Sequence, residues 1–162
     1  MIELTPEVIL EAKAKRFAIK HHGSQMYGDV SYEYHLNQVV QNVKIRKAGD
    51  PMLSIYVAVA WLHDTLEDTD ATFEQIEREF GLAIAYAVRC LTKTEGESYE
   101  RYIQSCIDCA VAREVKICDT LANMLESFKS SGSNDPDVSA KGFRGLAKYP
   151  KQLWMLVDGE VK

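Results

Sequence analysis

No stretch of about 18 apolar residues occurs in this 162-residue chain, and no apolar leader core follows its first residues. Nothing in it therefore points to a membrane span or to export. Glycine and proline are sparse, at 9 and 4, and the alternation of apolar and polar residues that marks a half-buried strand is missing. So is any repeat with a period of roughly 20 to 50 residues. An excess of positive charge is missing too: 19 Lys and Arg against 24 Asp and Glu leave a net charge of -5. That balance gives no electrostatic footprint for duplex nucleic acid. Cysteine is scarce, at 4, and Cys106 and Cys109 form the one CxxC. These thiols read as reduced, partly buried helix residues of a cytoplasmic protein, not as a disulfide or zinc framework.

What is present is a 46% hydrophobic, 27% charged chain of ordinary single-domain length. Every strong periodic segment reads as helix. Thr5-Pro6-Glu7 is an N-cap with proline at the first helical position, and that helix ends at His21, His22 and Gly23. His21, on its apolar stripe, reads as a core or capping histidine. Residues 24–31 form a loop with a turn at Gly28-Asp29, and a helix from about Tyr32 to Ala48 carries His35, Leu36, Val39, Val40 and Val43 inward. Pro51 starts the next helix, whose residues 52–62 are apolar nearly all round, as befits the centre of a bundle. Thr72 with Gln75 is a capping box, Gly81 a stop, residues 82–91 a short apolar helix, and Ser98 a further cap. A helix from near Ala110 to Phe128 offers Val111, Val115, Ile117, Leu121 and Leu125 to the core. Residues 130–137 read as a mobile loop, a short helix follows, and Pro150 opens a terminal helix with Leu153, Trp154 and Leu156. The expectation is an all-α helical bundle in one domain.

The chemistry concentrates in residues 58–69, AVAWLHDTLEDT. An apolar run ends in His63-Asp64, and Glu67 and Asp68 follow one helical turn later, on the same face. Four ionisable groups at the end of a greasy helix are costly unless something binds them, and a divalent metal is the simplest answer. Two further positions stand out for ligation: His35, and Asp119 in the middle of the apolar segment VKICDTLANM. Two neutral imidazoles and two carboxylates would neutralise a divalent cation and leave room for water and a phosphate oxygen. Glu67 can reach such a water as proton acceptor, while Asp68, aligned with Asp64, orients it or supports a ligand. The alternative is an acidic loop with Asp70 capping the next helix. Lys93, Lys116 and Asn123 are candidates to contact phosphates.

These residues resemble the HD-domain metal-dependent phosphohydrolase superfamily, with HDTLED at the centre of an H…HD…D pattern. The longer run of His22-x-x-Gln25, Tyr32-x-x-His35, WLHDTLEDTDATFEQIEREFG and VKICDTLAN is similar to the (p)ppGpp hydrolase domain of RelA/SpoT-type proteins and their small stand-alone forms. The likeness spans about residues 16–125, with C-terminal helices expected over 137–160. It implies an HD-type bundle and a metal, usually manganese, held by His35, His63, Asp64 and Asp119. It also implies that Glu67 and Asp68 position and activate the attacking water, and that the reaction removes the 3′-pyrophosphate of a nucleotide substrate, (p)ppGpp. The chain's 162 residues leave no room for a synthetase or regulatory domain.

One region departs from that pattern. The relatives carry Arg and Lys after the H-x-x-Q glutamine, whereas this chain has Met26, Tyr27, Gly28 and Asp29 in a shorter loop. Tyr27 is a candidate to stack on a base instead. The usual His-Pro is His35-Leu36, and an arginine found soon after Asn123 in the relatives is missing from MLESF. Two alternatives therefore stay open: an HD hydrolase of a nucleoside tri- or monophosphate, and a metal- and nucleotide-binding module without turnover. Retention of both Glu67 and Asp68 argues against the second. Homo-oligomerisation is left open.

Overall fold

The computed structural model describes residues 5–161. Its organising element is α3 (Leu53–Leu62), in which every residue from Tyr56 to Leu62 is buried. Burying large side chains such as Leu62 and Trp61 contributes roughly 1.5–3 kcal/mol each. α1 (Pro6–His22), α2 (Tyr32–Arg46), α6 (Leu82–Leu91) and α8 (Ala110–Ser131) pack around it, which is why α3 needs no polar face. α4 (Thr65–Asp68) is a single turn continuing from its end, followed by α5 (Phe73–Phe80) and, after α6, α7 (Tyr99–Asp108).

Local chemistry sets the boundaries. Thr5 caps α1, the Thr72–Gln75 capping box is formed in full, and Ser98 accepts from Arg101 N–H. Gly81, at φ 87°, lets α5 end and α6 begin at a sharp corner. Pro51 stands differently from expectation: it lies in the turn before α3, with Met52 as N-cap and Asp50 Oδ1 accepting from Met52 N–H at 2.8 Å. A two-stranded hairpin, β1 (Met26–Tyr27) and β2 (Val30–Ser31), occupies the loop read between the first two helices. Two residues per strand are too few to show a period in the sequence.

The largest departures lie at the C-terminal end. α8 continues to Ser131 and the next helix begins at Pro136, so the loop expected over 130–137 shrinks to residues 132–135. Asp135 caps the next helix by accepting from the Asp137 and Val138 N–H groups. That helix, α9 (Pro136–Asp158), is one 23-residue element running through Pro150, which stands on its exposed side and opens nothing. α9 folds back along α8 at very close range. A Cβ on Gly142 would lie 2.3 Å from Ser131 N, and one on Gly145 would lie 2.0 Å from Ser127 Oγ. Leu121, Leu125 and Trp154 face outward, Trp154 with 63% of its surface exposed, so these apolar positions are not core. All four cysteines are free, and Cys109 is not inside a helix but is the extended N-cap of α8. The described helices include none long and apolar enough to cross a membrane.

Candidate metal centre and adjoining cleft

Where α3 runs out, the His63 Nδ1–H donates to Ala60 O at 2.8 Å. That bond fixes the tautomer and leaves the lone pair on Nε2. This nitrogen is buried, has no hydrogen-bond partner, and faces Asp64 Oδ2 at 3.0 Å and Asp119 Oδ1 at 3.7 Å. A lone pair turned toward carboxylate oxygens is repulsive unless a cation lies between them. A proton meets the need: burial lowers the basicity of His63, but the charges of Asp64 and then Asp119 outweigh it and push its pKa up to about 10. A metal ion meets it equally, displacing the proton.

His35 enters from α2, its Nε2 3.2 Å from Asp119 Oδ1 and 3.7 Å from Asp64 Oδ2. One donor atom from each of His35, His63 and Asp64 lies within 4.8 Å of the others. Asp119 joins them from α8. Its Oδ2 accepts from Lys116 Nζ at 2.8 Å and its Oδ1 from Asn123 Nδ2 at 2.6 Å. Burial opposes ionisation of Asp119, yet the Lys116 charge holds its carboxyl well below the usual range; for Asp64 the opposing charge is His63. The donor set of two imidazoles and two ionised carboxylates fits a divalent cation of the Mn, Fe or Zn type.

The acidic pair beyond the candidate ligands is held in two ways. Glu67 stands at the rim with Oε2 accepting from Lys93 N–H at 2.8 Å. Partial burial raises its pKa more than that hydrogen bond lowers it. Asp68 is fixed through the H-x-x-Q residues. His22 Nδ1 is 2.8 Å from Gln25 Oε1, which turns the Gln25 amide toward Asp68 Oδ2 at 3.4 Å. The hydroxyl of Tyr32 lies 2.5 Å from Asp64 Oδ2 and 3.0 Å from Asp68 Oδ2, with its ring stacked on His22. Burial and the Asp64 charge push that phenol far up, so it stays a donor. Thr72, and not Asp70, caps the helix that follows; Asp70 instead pairs with His21 Nδ1 at 2.9 Å.

A pocket of about 180 Å³ opens beside the cluster, with Lys93, Lys116 and Lys148 around Asp64, Glu67 and Asp119. It shares Asn123, Lys148 and Tyr149 with a cleft of about 610 Å³ between the hairpin, α8 and α9. A larger apolar groove, about 860 Å³ around Ala147, Pro150 and Trp154, holds none of the candidate ligands. Tyr27 borders the cleft, but its ring stacks on His35 at 4.6 Å and its hydroxyl donates to Asn123 Oδ1 at 2.9 Å. It is thus a wall over His35, a candidate ligand, and its hydroxyl is already engaged. Lys116 is likewise engaged, with Nζ on Asp119 and over the Tyr102 ring. The contributions of α9, Lys148 and Tyr149 above all, are not among the residues that the sequence singles out. The spacing of Lys141, Arg144 and Lys148 on one helical face was the available signal.

No family model matches the chain. Over 116 residues it is 30% identical to the MESH1 guanosine-3′,5′-bis(diphosphate) 3′-pyrophosphohydrolase of Danio rerio, covering 68% of this chain and 64% of that one. Over 120 residues it is 30% identical to a guanosine-3′,5′-bis(diphosphate) 3′-pyrophosphohydrolase of Aquifex aeolicus, covering 69% of this chain and 17% of the other. The chain thus spans just under two thirds of the first relative and about a sixth of the second. A solved structure, described as a metazoan ortholog of SpoT that hydrolyses ppGpp, superposes with a TM-score of 0.68. It covers 98% of this chain and 97% of its own at 18% identity, which shows a shared fold.

Proposed function

We propose that this chain, an HD-domain protein similar in sequence and fold to the (p)ppGpp hydrolases, is itself a metal-dependent nucleotide phosphohydrolase that removes the 3′-pyrophosphate of (p)ppGpp. The observation that carries this reading is the buried His63 Nε2, unpartnered and aimed at two carboxylates beside Glu67 and Asp68. A fixed lone pair in that setting is built for a cation, and the acidic pair at the rim is what hydrolysis adds to binding.

His35, His63, Asp64 and Asp119 would hold the ion, with manganese the metal that the family resemblance implies. When bound, such an ion polarises a phosphoryl oxygen and makes water more acidic. Glu67, whose pKa burial raises, takes the proton of the attacking water. Asp68, fixed by Gln25 and Tyr32, orients that water. Water attacks the phosphorus attached to the 3′ oxygen, the bond between that phosphorus and oxygen breaks, and the oxygen takes up a proton. From ppGpp the products are GDP and pyrophosphate. We place the protein in the cytoplasm, in keeping with four free thiols.

A hydrolase of a different nucleotide is the second reading, favoured by a hairpin at residues 26–31 that carries no Lys or Arg. Incubation with ppGpp, a nucleoside triphosphate and a nucleoside monophosphate separates the two. Equimolar GDP and pyrophosphate from ppGpp supports the first; release from either other nucleotide with ppGpp untouched supports the second.

A further inference from the structure

The cleft has two cationic ends. At the inner end Lys93, Lys116 and Lys148 surround the pocket beside the cluster, and of these only Lys116 has a carboxylate partner among the described residues. At the outer end, Lys141 and Arg144 line the wall contributed by α9. Neither forms an ion pair among the described residues. The cleft's own carboxylates do not serve them. Glu126 is occupied by Lys129 at 2.7 Å, Tyr34 at 3.0 Å and Gln38 at 3.2 Å, and Asp29 lies on the opposite wall, in the hairpin turn.

The placement of these cations is built into α9. Gly142 and Gly145 are poor helix formers, and they stand where α9 meets α8 too closely for a Cβ: Gly142 lies against the Ser127–Ser131 backbone and Gly145 against the Ser127 side chain. Lys141 and Arg144 each precede one of these glycines, and with Lys148 they fall on one stripe of the helix. That stripe is seven residues long, roughly 10 Å of helix rise. The cleft that this stripe borders, about 610 Å³, lies within the range of small-molecule sites, roughly 300–1,000 Å³.

We propose that Lys141 and Arg144 form a second anion site, which holds the 5′-phosphates of a nucleotide whose 3′-diphosphate lies in the inner pocket. This rests on the hydrolase reading and sharpens it. A nucleotide phosphorylated at both ends uses both cationic ends of the cleft, whereas a nucleoside triphosphate or monophosphate, with phosphate at one end, uses one. The α9 stripe takes over the anchoring that a hairpin without Lys or Arg cannot give.

The test compares wild type with the Lys141→Ala/Arg144→Ala double variant, using calorimetric binding of GDP and of guanosine, together with KM and kcat for ppGpp. Both side chains are exposed, so thermal stability should match wild type and confirm a folded variant. GDP affinity should fall by about tenfold per residue, roughly a hundredfold in all, as charge-assisted contacts to phosphate are lost. Guanosine binding should be unchanged, and the loss with ppGpp should appear in KM rather than kcat. GDP affinity equal to wild type would overturn the second anion site, as would a GDP loss produced only by Lys93→Ala, which would put the diphosphate beside the cluster. Weakened GDP binding in a protein that never turns over ppGpp would keep the anion site and reject the hydrolase reading.

Discussion

The cluster at the end of α3 and the wall formed by α9 face each other across one cleft, yet they are made in opposite ways. His35, His63 and Asp119 are buried, each fixed by neighbours on packed helices: Ala60 O for His63, Lys116 and Asn123 for Asp119. Lys141, Arg144 and Lys148 are exposed, and what fixes them is the path of their backbone, through Gly142 and Gly145. On the reading proposed above, the first arrangement would preorganise a reacting centre, and the second would set the position of a binding surface while its side chains stay adaptable. Chemistry should therefore fail abruptly when the cluster is altered, and binding should weaken in steps when α9 is altered.

The sharpest break in that comparison comes from His63→Ala or Asp119→Ala. Either should abolish metal retention and turnover together, read by elemental analysis of the purified protein and by pyrophosphate release. Asp119→Ala should also destabilise the fold by about 3 kcal/mol in urea unfolding, because it strands the Lys116 charge. Unchanged metal content in both would remove the proposed site. Glu67→Gln should keep the metal and lower kcat by roughly 10²- to 10³-fold, as expected for removing a general base. Wild-type kcat should fall with decreasing pH as Glu67 protonates, and since burial raises that pKa the fall should begin above the usual glutamate range. The acid limb should be absent from the residual rate of Glu67→Gln; an identical limb in the variant would assign it to another group.

Smaller effects belong to the α9 side and to the support of Asp68. Gly142→Ala should cost about 1–3 kcal/mol of stability by forcing α9 off Ser127 and Ser131. It should raise KM for ppGpp while leaving metal content intact, and a variant as stable as wild type would show that the close approach is not needed. Tyr32→Phe, which removes one hydroxyl between Asp64 and Asp68, should lower kcat by about tenfold, in keeping with roughly 1–1.5 kcal/mol for a hydrogen bond. No change in kcat would leave Tyr32 a packing residue against His22.

The same contrast explains what could be read from the chain alone. A histidine and aspartate ending an apolar run, or an aspartate inside VKICDTLANM, have no comfortable packing account, so residue type by itself marked the cluster. Lys141, Arg144 and Lys148 have an ordinary account as solvated surface lysines and arginine, and nothing local shows that the helix they lie on is one long element packed along α8. The two glycines that place α9 carry no signal until the neighbouring helix is known. Tyr27 was visible as an aromatic near the site, but its commitment to His35 and Asn123 joins residues up to 96 apart in sequence, beyond any local pattern.

The most direct test is turnover of ppGpp by metal-stripped protein reloaded with manganese, following GDP and pyrophosphate together. Equal amounts of the two, dependent on the metal and lost in Asp64→Ala, are the predicted result. Reloaded protein that retains manganese yet leaves ppGpp intact, or releases orthophosphate in place of pyrophosphate, would contradict it.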